Sequence, residues 1–73
     1  MPLPVCSGAD AIRTFERHGW TRVRQNGSHV TMVKAGSPLV LTVPLHRQLD
    51  RGLLRGLIRK AGITIADFSK LLS

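Results

Sequence analysis

Three stretches of this sequence hold side chains that could do chemistry. The first is Arg22-Val23-Arg24-Gln25-Asn26-Gly27-Ser28-His29. It offers two guanidinium groups and an imidazole two residues past a glycine. An imidazole with an ordinary pKa of about 6.5 gives or takes a proton near neutral pH. On spacing alone, a lone histidine in a small domain is also an ordinary surface or packed residue. The second stretch is Arg51, Arg55 and Arg59, with Lys60 beside them. A spacing of four on a helix makes one ridge. No acidic residue at i±4 neutralises it. Such a row is either a solvated helix face or a grip for phosphates or a carboxylate-rich partner.

The third group is scattered. His18, His46 and Cys6 stand apart in the sequence. A zinc site needs at least three converging ligands, and no His-x-x-x-His or acidic partner spacing exists, so no metal or other cofactor is expected. Only four Asp and Glu are present, so paired carboxylates for acid–base work are not expected. Cys6 reads as an inert thiol. Trp20 and Phe15 have rings that could stack on bases, but both fit a core stripe better.

The elements that must position these residues follow from local pattern. Ser7 reads as a helix N-cap with Asp10 three positions on. Ala9, Ile12 and Phe15 give the inner stripe of a helix over 7–18, and Gly19 is its stop. Residues 20–25 alternate and are rich in strand formers. Asn26-Gly27 is a strong hairpin signal, read as a type I′ turn. Residues 28–34 return as the second strand. In it, Val30 and Met32 share one face and His29, Thr31 and Val33 the other. The pattern alone does not say which face is core. A turn over 35–38 leads to a third strand over 39–43, ended by Pro44. Asp50 caps a second helix with Leu53, Leu54, Leu57, Ile58 and Ala61 as its apolar stripe. Gly56, unfavourable inside a helix, is a candidate for a close approach. Gly62 ends that helix, and Thr64 with Asp67 caps a short terminal one. The expected fold class is α+β: αβββα, a three-stranded antiparallel sheet with helices on one face and a short extra C-terminal helix.

Bulk properties narrow the function. The chain has 73 residues, which fits one domain (1–73, with 1–6 a loose lead) and excludes a TIM barrel or a full Rossmann unit. Eleven Lys and Arg against four Asp and Glu give a formal net charge of +7. Ten of those eleven basic residues lie between Arg13 and Lys60, so the charge belongs to the folded body. A compact basic domain is built to meet an anion. One cysteine allows no internal disulfide, as suits a reducing cytoplasm. No stretch reads as a membrane span or a secretory signal. There is no Walker A loop and no GxGxxG.

Gly19-Trp20, Val23-Arg24-Gln25-Asn26-Gly27-Ser28-His29, Leu41-Thr42-Val43-Pro44 and Gly52 with Leu54-Arg55-Gly56-Leu57-Ile58-Arg59-Lys60-Ala61-Gly62-Ile63 together resemble the HicA (YcfA-like) toxin family. The resemblance runs from about Ser7 to Leu72. It implies a double-stranded-RNA-binding-like αβββα fold and an mRNA endoribonuclease (mRNA interferase) that acts without the ribosome; attack by the RNA's own 2′-OH, with a histidine as acid or base, would need no metal. It maps the family's catalytic histidine onto His29, preceded by Gly27 and Ser28. It implies mRNA as substrate and a HicB-type antitoxin covering the His29 site. Val30 stands where many members carry a second histidine, and Asp50 where many carry proline. Expected RNA contacts are Arg22, Arg24 and Lys34 on the hairpin, and Arg51, Arg55, Arg59 and Lys60 on helix two. The alternative reading is a noncatalytic basic RNA-binding module.

Overall fold

The computed structural model describes residues 2–72. The elements run α1 (Gly8–Arg17), β1 (Thr21–Asn26), β2 (His29–Val33), β3 (Leu41–Pro44), α2 (Arg51–Ala61) and α3 (Ile65–Leu71). The strands form one antiparallel sheet in the order β1-β2-β3. This is the expected αβββα order with α3 appended.

All three helix starts are capped as their sequences require. Ser7 Oγ accepts from the Asp10 N–H at 3.1 Å, Asp50 Oδ2 from Leu53 at 3.1 Å and Thr64 Oγ1 from Asp67 at 3.0 Å. Each cap satisfies an N–H that the helix leaves unpaired, worth about 1 kcal/mol. Gly62 ends α2 in the left-handed conformation, with φ of 76°.

One hydrophobic core lies between the helices and one face of the sheet. Phe15, Ile12 and Ala11 of α1 meet Val30 and Met32 of β2, Leu41 and Val43 of β3, Leu54, Leu57 and Ile58 of α2, and Phe68 of α3. The Phe15 and Phe68 rings lie 5.3 Å apart and tilted, tying α3 to α1. Trp20 belongs to this core and precedes β1 instead of opening it. Burial of Val30 and Met32 settles the question the alternation leaves open. His29, Thr31 and Val33 face away from the helices.

Several expectations need correction. The stripe of α1 is Gly8, Ala11, Ile12 and Phe15, and Ala9 is exposed. The period of three runs one residue out of phase with the i, i+3, i+4, i+7 rule. Leu53 lies at the rim of the α2 stripe, not in the core. The third strand begins at Leu41, not Leu39. The Leu39 N–H donates to Ser37 Oγ at 3.2 Å, and Leu39 and Val40 stay exposed. Pro44 is within β3, at the end of an edge strand, where a missing N–H is tolerated. The segment before α1 has no regular structure but is not loose. Leu3 and Cys6 are buried, and the Leu49 N–H bonds the Cys6 carbonyl at 2.9 Å. The close approach is also elsewhere. Nothing lies within 4 Å of a Cβ placed on Gly56, whereas one on Gly8 would fall 1.9 Å from the Pro44 carbonyl oxygen. Among the described residues, no helix is long and apolar enough to cross a membrane.

Candidate functional site

The hairpin end of the sheet is where the sequence and the fold converge. Asn26 pairs directly with His29, so the loop is Gly27-Ser28 and not Asn26-Gly27. Gly27 has φ of 62°, and among the described residues only glycines have positive φ. Positive φ at the first central position alone is the type II′ pattern, which replaces the expected type I′ turn. Glycine is needed at 27 because it has no Cβ to clash there. The turn is braced from two sides. Gln25 Nε2 donates to the Gly27 carbonyl at 3.1 Å, and the Leu45 N–H donates to the Ser28 carbonyl at 2.6 Å.

His29 opens β2 directly after this turn. It is exposed and pairs with Asn26 on one side and Pro44 on the other. Arg24 pairs with Thr31, and Thr31 with Thr42. Paired residues share a face. Arg24, Thr31 and Thr42 therefore form the row next to His29 on the sheet face that no helix covers. An imidazole, a guanidinium and hydroxyls on one accessible surface make a place where an anion can bind beside an acid–base group.

The other expected contacts divide. Arg22 and Arg24 are two apart and would share a face on a regular strand. A bulge between them breaks that phase, so Arg22 pairs with Met32 on the helix side. There its Nε donates to Glu16 of α1 at 3.3 Å. Lys34 lies at the far end of β2, its Cε only 3.3 Å from where a Cβ on Gly19 would be. Arg51, Arg55, Arg59 and Lys60 are exposed on α2, in the helix layer. No carboxylate among the described residues forms an ion pair with them. Arg55 and Arg59 rim an open groove of about 350 Å³ with Ile58, Ile63 and Ile65. Sequence periodicity finds the ridge but not this groove, because Ile63 and Ile65 come from the α2–α3 junction.

The remaining candidates are placed as structural groups. Burial, and then the nearby Asp10 carboxylate, push the Cys6 thiol above its usual pKa of 9.0, which keeps it protonated and unreactive. His18 follows α1, with its Nε2 buried and without a hydrogen-bond partner. Among the described residues, no three His, Cys, Asp or Glu side chains are grouped to hold a metal ion.

The fold is that of a small α+β domain of the double-stranded-RNA-binding type, with an accessible histidine on its open sheet face. The family model for the HicA toxin of bacterial toxin-antitoxin matches residues 8–63. The chain belongs to the HicA toxin family of toxin–antitoxin systems. A solved toxin-antitoxin complex from Streptococcus pneumoniae contains a similar chain, with a TM-score of 0.68 and 30% identity, covering 85% of this chain and 100% of that one. No curated protein matches it.

Proposed function

We propose that this protein is a cytoplasmic mRNA endoribonuclease toxin that cleaves RNA at His29 and is restrained by a HicB-type antitoxin seated over that site. The observation that carries the reading is the placement of His29, exposed beside Arg24 on the sheet face that no helix covers. The family relation supports a nuclease, and the similar chain in a toxin-antitoxin complex supports an antitoxin partner. The net charge of +7 favours a polyanionic substrate.

The chemistry asks little of the protein. RNA carries its own nucleophile, the 2′-OH. His29 moves one proton, either from that hydroxyl or onto the leaving 5′-oxygen. Arg24 and the backbone N–H groups of the Gly27-Ser28 turn offset the charge that develops on the phosphorane. The scheme needs no metal ion.

The test is RNA cleavage by purified protein in EDTA, wild type beside His29→Ala, with the variant's fold checked by circular dichroism. Wild type should leave 2′,3′-cyclic phosphate ends, and the variant should be slower by about 100-fold or more. Equal cleavage by both would refute His29 as the catalytic group. Salt-sensitive RNA binding without cleavage would favour the noncatalytic reading.

A further inference from the structure

We propose that Thr31 and Thr42 bind the RNA phosphate next to the one being cleaved and so fix which bond lies over His29, an inference that rests on the nuclease reading above. Thr31 pairs directly with Thr42, and Arg24 pairs with Thr31 from the other side. Along β2, His29 is exposed and Thr31 half-buried, while Val30 and Met32 are in the core. Along β3, an exposed Thr42 stands between buried Leu41 and Val43. Pairing and burial thus agree, within the strands themselves, that both threonines share the open face with His29.

Both hydroxyls lack a partner. Elsewhere, Thr14 Oγ1 donates to the Asp10 carbonyl and Thr64 Oγ1 caps α3. Among the described residues, nothing hydrogen-bonds the Thr31 or Thr42 hydroxyl, and the Arg24 guanidinium is also unpaired. Directly opposed residues stand about 5 Å apart, so two such hydroxyls can donate to the oxygens of one phosphate. The sheet also carries no negative side chain. Asp10 and Glu16 are on α1, Asp50 caps α2 and Asp67 is on α3, which places all four acids with the helices. An anion on the open face meets Arg24 and no carboxylate. A base finds less to hold it. Phe15, Trp20 and Phe68, the only aromatic residues of the sequence, are all buried in the core, so this face offers no ring for stacking. The sugar–phosphate chain is what the surface suits.

The spacing fits an RNA strand laid along β2. Two residues of a strand cover about 6.6 Å, close to the separation of successive phosphates in a single strand. With the scissile phosphate at His29, within reach of the long Arg24 side chain, the next one lies over Thr31 and Thr42. The hydroxyls donate to its non-bridging oxygens and touch no reacting atom. Contacts of this kind set the register of the strand and carry no base information.

The experiment maps the bond that wild type cuts in a short single-stranded RNA. It then replaces the phosphate on the 5′ or the 3′ side of that bond with a neutral methylphosphonate. The sugar at the altered linkage carries a 2′-O-methyl group, as it does in a matched all-phosphate control. Wild type is compared with Thr31→Val/Thr42→Val, which removes both hydroxyls, and with Thr31→Ser/Thr42→Ser, which keeps them. One of the two replacements should cost wild type about 10-fold or more in kcat/KM, as expected for hydrogen bonds to a charged group. The valine variant should be slower by a similar factor on the control and lose little more on the neutral strand. The serine variant should follow wild type. Circular dichroism should be unchanged, because valine suits a strand as well as threonine does. The proposal is overturned if neither replacement slows wild type, if the penalty is the same in wild type and the valine variant, or if the serine variant is as slow as the valine one. The nuclease reading stands in each of those cases. If wild type cuts no RNA, that reading falls and takes the proposal with it.

Discussion

The hairpin end of the sheet and the outer face of α2 both present cationic side chains to solvent, yet they are held very differently. At the hairpin, four backbone or side-chain constraints meet within a few residues. These are the positive φ of Gly27, the Gln25 brace, the Leu45–Ser28 bond and the close packing of Gly8 on Pro44. On α2, Arg51, Arg55 and Arg59 are exposed, and a Cβ placed on Gly56 among them would meet nothing within 4 Å. The difference fits the roles proposed for the two surfaces. Proton transfer depends on a ring held to within a fraction of an ångström. Attraction for a phosphate chain falls off slowly with distance and tolerates side chains that move.

Gly8 is where the comparison is most easily broken. A Cβ there would lie 1.9 Å from the Pro44 carbonyl oxygen and 3.0 Å from the Leu45 Cα, so backbone must move. Gly8→Ala should cost about 3 kcal/mol, because overpacking against backbone has no flexible neighbour to yield. For a domain of this size that lowers Tm by roughly 15 °C. Thermal melts of the variant would check it, and an unchanged Tm would mean that the clamp on Pro44 and Leu45 is not rigid. Gly56→Ala is the matched change on α2. It fills open space inside a helix and should raise stability by about 1 kcal/mol, or Tm by roughly 5 °C. Loss of stability there would mean that something packs on α2 after all.

How far the sequence reveals these two surfaces also differs. The three caps, the Gly62 stop and the arginine ridge are legible because each depends on residues within one turn of helix. The core is legible for the same reason, except where a phase has to be chosen. A period of three puts Ala9 on the stripe, because that period and the helix period agree over a few residues and then separate. The hairpin is legible but its turn is displaced by one, since Asn26-Gly27 and Gly27-Ser28 are both good loops and register decides between them. The split of Arg22 from Arg24 depends on a bulge, and the role of Gly8 on a neighbour 36 residues away along the chain. No local pattern encodes either. His29 stands out only through the family resemblance, because spacing alone leaves it an ordinary surface histidine.

The smallest expected effect tests the α2 surface itself. If Arg51, Arg55 and Arg59 touch RNA phosphates, replacing all three with alanine leaves up to three phosphates to keep their counterions. The slope of log K against log salt should then shrink by about 0.7 for each such phosphate with single-stranded RNA. The rate at saturating RNA should not change, because none of these side chains shares the His29 face of the sheet. Filter binding across a salt series, beside single-turnover cleavage, reads both quantities. A saturating rate that fell as far as that of His29→Ala would erase the division between a surface for chemistry and a surface for affinity. An unchanged slope would remove the ridge from RNA binding. The arginine-rimmed groove over Ile58, Ile63 and Ile65 would then be better suited to an acidic, partly apolar protein surface than to a phosphate chain, since phosphates gain nothing from an apolar floor.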